Sequence, residues 1–366
     1  MKTMISAVLL VLATGLFRAD AQQDDPAMAG RDTLGKPAPE LMAAGWIGSP
    51  VTLRSVKGNT VVLNFWNNDT TYFDSPEYFL KSMMTDYELF SKMRNITFIS
   101  ICRSMTATMK QVERDIDQNK CHPLPTMLDA GGATSHAYKV PKQYSTWIVV
   151  IDPDGKIVHN DSKGWFWSGG VNKGRKVHHT IIEDNQKKSP GILDKKEVPI
   201  EAALCAHLFD LQQFTLAENE AKKLVAAKDN ALKEFGAFIK DRIADIRKKR
   251  LVEIEELSHT APTQAYREAV NFVAAFPTCP EKAPMNEIGK SLMKTPAVKS
   301  ELQAEDAYRR MIVPELVKSP KGTADFENRV QPVLNAWSKL YKDTEYCAAV
   351  TDGVEGYKMA ASTRSR

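Results

Sequence analysis

Thiols and imidazoles are the side chains here whose chemistry could be covalent, redox or metal-based. Five cysteines, Cys102, Cys121, Cys205, Cys279 and Cys347, stand far apart. Redox thiols usually come as Cys-x-x-Cys, one sulfur attacking and the other resolving the mixed disulfide. No two cysteines have that spacing, and zinc-ligand and haem-attachment patterns are also absent. The odd count leaves at least one thiol outside any intramolecular bridge. The histidines, His122, His136, His159, His178, His179, His207 and His259, are scattered. His178 and His179 are adjacent and are expected to point in different directions, whereas a metal-binding pair usually has i, i+2 or i, i+4 spacing. All seven read as surface or internally satisfied groups, so no metal and no cofactor is expected. Asn68-Asp69-Thr70, Asn95-Ile96-Thr97 and Asn160-Asp161-Ser162 fit the glycosylation triplet, a pattern short enough to arise by chance.

The elements that would position these groups divide the chain in two. Over 34–160 apolar runs typical of strands ("NTVVLNFW", "NITFISI", "LPTML", "STWIVVI", "KIVHN") alternate with helix-like stretches such as "SPEYFLKSMMTDYELFSKM" and "MTATMKQVERDIDQN". This alternation predicts an α/β domain with a partly parallel sheet. Asp152-Pro153-Asp154-Gly155 predicts a tight turn joining the last two strands as a hairpin. Beyond Pro190-Gly191 and Pro199 almost everything reads as helix. Leu232, Phe235, Ile239, Ile243, Ile246, Ile254 and Leu257 keep an apolar stripe at helical spacing. Helix pairs ending in Phe-Pro suggest a helical-repeat array, without a fixed period. The division expected is a signal peptide at 1–21, a flexible lead at 22–33, an α/β domain at 34–190 and an all-α domain at 191–366.

The chain start carries the marks of export. Lys2 precedes a short apolar core from Ile5 to Ala13, and Ala19-Asp20-Ala21 offers the small residues a signal peptidase reads. Cleavage is expected near Ala21, giving a periplasmic or secreted chain, for which disulfides are permissible. No segment approaches the roughly 20 apolar residues that span a bilayer, so no integral membrane segment is expected in the mature chain. The 366 residues are 43% hydrophobic and 26% charged, an ordinary globular composition. The net charge of +4 is too small to imply nucleic-acid binding. The basic run Arg247 to Arg250 reads as a solvated helix face or, alternatively, as a site for an acidic partner.

Several ordered segments resemble the thioredoxin-fold family of exported redoxins, of the TlpA-like and AhpC/TSA types. "LGKPAPEL" (34–41) is similar to the family's opening segment. "GWIGSPVTLRSVKGNTVVLNFW" (45–66) is similar to its following hairpin, turn and central strand. "FISICRS", "LPTMLDAGGATSHAYKV" and "WIVVIDPDGKIV" follow in the family's order. The resemblance spans about residues 34–160, implies a thioredoxin-like mixed sheet flanked by helices, and leaves the helical half unrecognised. It also implies thiol–disulfide or peroxide chemistry at a cysteine on a helix N-terminus, where dipole and backbone amides favour the thiolate. Counting from Trp66, the attacking position falls on Thr70 and the resolving position on Phe73. Threonine has no accessible anion near neutral pH, and phenylalanine has no redox chemistry. The family's cis-proline position falls on Thr146, where a trans bond is expected because a non-proline cis bond costs about 3–4 kcal/mol.

Cys102, at the end of "ITFISIC", is the candidate for a displaced thiol, with Arg103 beside it to favour the thiolate. It also reads as a small buried core residue, or as half of a bridge to Cys121. If the flanking strands are parallel, however, the two sulfurs start at opposite sheet edges. A bridge between Cys279 and Cys347 is a further candidate. "GWFWSGG" (164–170) reads either as an aromatic lid between the halves or as an exposed recognition loop. The function expected is a redox-inactive binding or scaffold protein that engages a protein partner through its helical half. The alternative is an oxidoreductase or peroxidase using Cys102.

Overall fold

Strands β2 (Thr60–Trp66) and β3 (Ile96–Cys102) are buried along their whole lengths, as expected for strands covered on both faces. They pair in parallel, and β4 (Thr126–Asp129) continues the parallel set beside β3. β5 (Thr146–Ile151) runs antiparallel to β2, and β6 (Ile157–Ser162) returns along β5. β1 (Ala43–Ile47) closes the far edge, giving the order β1-β4-β3-β2-β5-β6. The computed structural model describes residues 30–68, 76–141, 146–162, 171–193, 197–318, 322–351 and 353–354. The signal segment, Thr70, Phe73 and the aromatic run 164–170 lie outside these residues.

All five strand-like runs become strands, and the predicted turn closes the β5–β6 hairpin. There Asp152 Oδ1 accepts the amides of Asp154 and Lys156, and Gly155 takes φ +88. The expectation of a hairpin within 45–66 is corrected: β1 pairs with β4, two strands away from β2. A bulge at Ala43/Gly45 sets β1's register, and a Cβ at Gly45 would lie 2.7 Å from the Met109 sulfur.

Side chains alternate across the sheet. Val62, Trp66, Phe98, Cys102, Ile148 and Val150 face helices α1 (Pro76–Phe90), α2 (Met109–Gln118) and α4 (Val171–Gln186). Leu63, Phe65, Ile99, Ile101 and Val149 face the opposite layer, which includes Val51, Val56, Tyr138 and Val140. Thr108 and Gln111 cap α2 reciprocally, and the short α3 (Ala133–Ala137) follows β4.

The second half is helical: α5 (Ala203–Asp210), α6 (Phe214–Val225), α7 (Asn230–Thr260), α8 (Pro262–Ala275), α9 (Lys282–Leu292), α10 (Pro296–Met311), α11 (Val313–Val317) and α12 (Thr323–Tyr341). The predicted stripe lies on α7. Phe235, Ile239, Ile243 and Ile254 are buried, while Leu232, Ile246 and Leu257 pack at the margin. α5 joins the halves. Its last residue, Asp210, is fully buried and accepts Arg94 Nε at 2.7 Å and the Asn95 amide at 3.1 Å. Its carbonyl accepts the Thr97 hydroxyl at 2.7 Å, and Leu211 enters the apolar cluster beneath α1.

Arg94→Ala would strand that buried carboxylate and is expected to cost about 3–5 kcal/mol, read as a lower urea midpoint with an unchanged slope. Arg309→Ala, at the exposed pair with Glu305, is expected to change stability by less than about 1 kcal/mol in the same measurement.

Candidate functional site

The carboxyl ends of the parallel strands are where an open α/β sheet builds its sites. One row of partners crosses that end: Leu128, Cys102, Trp66 and Thr146 on β4, β3, β2 and β5. Trp66 fills its centre, its indole donating to Ser100 Oγ at 2.9 Å. Cys102 is wholly buried in the apolar cluster of Trp66, Phe79 and Leu80. Arg103 donates through Nη2 to the Pro141 carbonyl at 3.0 Å, and its charge acts on Asp129. Ser104 Oγ accepts the Thr106 and Ala107 amides, forming a tight turn. That turn delivers Met105 into a second cluster with Tyr308, Trp337 and Tyr346 of the helical half. The helical half thus packs directly on the loop that leaves Cys102. Thr146 is buried at the row's end, and the peptide bond before it involves Ser145, outside the described residues.

Asp129, at the end of β4, is fully buried. It accepts the amides of Thr134 and Ser135 and the Ser135 hydroxyl, anchoring α3. Burial pushes its carboxyl pKa up, against those donors and the nearby Arg103 guanidinium. Asn160 is also a core residue. It accepts from Trp147 Nε1 and donates to Thr33 Oγ1 and the Tyr138 carbonyl, so the Asn160 triplet is a folding feature, not a surface one.

No disulfide joins any of the five cysteines. Cys121 and Cys102 share one apolar cluster but sit at opposite strand ends, as parallel pairing requires. Burial pushes the Cys121 thiol up to about 12, and Sγ donates to the Asn119 carbonyl at 3.6 Å. Cys205 is likewise held at about 12. The Cys279–Cys347 bridge does not form, because Cys279 packs against the core of α6 to α9 and Cys347 against the cluster of Trp337 and Tyr346. The basic run at 247–250 is only half solvated. Arg247 reaches Glu218 and Glu281, and Arg250 stacks over Phe214 while donating to Gln212. A cleft of about 350 Å³ lined by Arg54, Arg242, Arg250, Glu253 and Glu268 lies between the halves, beyond the amino end of β2 and away from the Trp66 row.

The adjacent histidines are corrected. His178 and His179 do not diverge: both turn toward Asp86 of α1, with ring centroids 4.5 Å apart. Among the described residues, these three make the group whose potential metal-ligand atoms converge, all within 4.8 Å of one another. Spacing alone could not reveal it, since the acid comes from a helix nearly a hundred residues earlier. His207, on α5, meets the Tyr87 hydroxyl at 2.8 Å, and burial together with Arg94 holds its pKa down to about 4.

Residues 34–160 match the model of the AhpC/TSA family. No curated protein matches the chain. Similar solved structures include a thioredoxin-like superfamily protein, 13% identical with TM-score 0.33, the match covering 44% of this chain and 99% of that one. The thioredoxin domain of a thiol-disulfide oxidoreductase from Bacteroides vulgatus is 18% identical, with TM-score 0.27 and coverage of 38% and 97%. A secreted disulfide oxidoreductase of Mycobacterium tuberculosis is 17% identical, with TM-score 0.28 and coverage of 38% and 96%.

Two outcomes follow from these environments. With an aromatic disulfide reagent at pH 8, the native chain is expected to expose at most Cys279 readily, whereas the denatured chain yields five thiols; three would mean a bridge. His207 should also make stability fall with acid. Between its folded value of about 4 and its ordinary 6.5 the unfolded chain binds the extra proton, so its contribution is intact above pH 6.5 and is lost as pH falls toward 4. The loss is on the order of 3 kcal/mol. His207→Gln is expected to flatten the urea midpoint across that window.

Proposed function

We propose that this chain, whose residues 34–160 are a thioredoxin-fold domain of the redoxin family, is an exported binding protein without redox chemistry at the family's usual edge. The observation that carries this reading is the burial of Cys102, with the loop after it packed beneath Tyr308 and Trp337. A thiol acts as a nucleophile only as an accessible thiolate. Family counting supports the reading from the other side, since Thr70, Phe73 and Thr146 stand where two cysteines and a proline would.

The working division is a leader removed near Ala21, a redoxin domain to about residue 190 and a helical domain from 191. The Lys2 to Ala21 pattern supports export, and no helix among the described residues is long and apolar enough to cross a membrane. The partner proposed is a protein that engages the helical half, not a nucleic acid. Ile200 and Leu204, four residues apart, are both exposed there, Ile200 at 90%. Thiol chemistry at a displaced Cys102 is the second reading, favoured by its place beside Trp66 in the row at the carboxyl edge.

The purified mature chain is expected to match the no-protein control in insulin reduction and in peroxide consumption, and Cys102→Ser is expected to change neither. Turnover that Cys102→Ser abolishes would replace this reading with the second.

A further inference from the structure

The geometry points to a divalent transition-metal site formed by Asp86, His178 and His179, with Zn²⁺ as the best-matched ion. Asp86 Oδ1 lies 3.2 Å from His179 Nε2, and Asp86 Oδ2 lies 3.7 Å from His178 Nε2. The second distance is too long for a hydrogen bond. A tetrahedral zinc ion with bonds of about 2.0–2.2 Å holds its ligand atoms about 3.3–3.6 Å apart. These two spacings lie on either side of that range, and the ligand atoms of all three residues fall within 4.8 Å of one another, so side-chain adjustment brings them onto one ion. Two imidazoles and a carboxylate suit zinc better than magnesium or calcium, which take mainly oxygen ligands.

The surroundings hold the ligands in place. Met83, Tyr87 and Phe90 of α1 share an apolar cluster with Ile182 of α4, so the helices carrying the acid and the imidazoles pack into one core. The Phe90 ring meets His179 edge-on at 5.4 Å, fixing that imidazole. Asp86 and His178 are each 1% exposed, whereas His179 is 21% exposed and gives an ion a way in. A buried carboxylate is held by ion pairs or by a metal. His159 supplies a further polar atom. Its ring lies 6.1 Å from that of His178, and its buried Nε2 has no hydrogen-bond partner among the described residues.

The site is separate from the Trp66–Cys102 row. α1 leaves the carboxyl end of β2 and finishes at Phe90, shortly before β3 begins, so Asp86 lies near the opposite end of the sheet. An ion there would clamp α1 to α4.

The test is titration of the metal-stripped full-length chain with Zn²⁺, read by calorimetry, and with Co²⁺, read by its visible ligand-field absorption. One equivalent is expected to bind, with a tetrahedral-type cobalt spectrum and a higher thermal midpoint. His179→Gln, at the partly exposed ligand, is expected to weaken binding at least about tenfold while the circular dichroism stays native. Asp86→Asn is expected to weaken it as well, and His122→Gln, at the exposed pair with Asp117, to leave it unchanged. Absence of saturable binding in the parent chain would overturn the proposal. So would binding that persists unchanged in a folded His179→Gln chain.

Discussion

The union of sheet and helices depends on the Asp210 carboxylate. An acid at the last position of a helix works against the helix dipole, so local preference does not favour it there. Tertiary structure does: Arg94, the Asn95 amide and Thr97 all converge on this one residue where β3 begins. Removing a carboxylate from water costs several kcal/mol, recovered only when the donors are in place. The interaction is therefore more selective than strong. It accepts one placement of α5, and that placement brings His207 to Tyr87 and Gln213 to the Ser49 amide.

At the other end of the sheet the contact is apolar and steric. Met105 and Ala130 join Tyr308, Trp337, Tyr346 and Val350 in one cluster. The chain passes so closely that a Cβ on Gly353 would stand 2.2 Å from the Gly131 carbonyl oxygen, a place only glycine can occupy. The helical half is thus fixed to the amino end of β3 by a polar contact and to the carboxyl end by packing. The carboxyl edge of the parallel strands is thereby part of an internal interface. Trp66 and Cys102 supply apolar surface to the core, and the loop between Cys102 and α2 anchors the distal helices.

Features set by local pattern were legible in the sequence. The strands around Val62, Phe98 and Val149 and the stripe on α7 follow from period and composition, which burial then satisfies. Features that depend on who meets whom were not. The segment around Trp46 resembled half of a hairpin, but its partner is set by the insertion of β3 and β4 between it and β2. His178 and His179 point about 100° apart on an ideal helix, yet a carboxylate has two oxygens and can address both when it stands between them. Arg247 and Arg250 read as solvated because sequence does not reveal the Glu281 carboxylate and the Phe214 ring waiting for them.

The thiols show how burial can substitute for bridging. Export, as proposed here, would carry five cysteines into an oxidising compartment where exposed thiols pair or oxidise. In this fold Cys102, Cys121, Cys205 and Cys347 are buried. For Cys121 and Cys205 burial also raises the pKa to about 12, leaving little thiolate to react. Cys279 is the more accessible one, and there burial and the neighbouring Glu281 carboxylate both push the thiol up. Separate clusters keep Cys279 from Cys347, and strand polarity keeps Cys102 from Cys121. On the proposed reading, the burial that shields Cys102 from oxidants also withholds it from attack on a substrate, because a thiol reacts as an accessible thiolate.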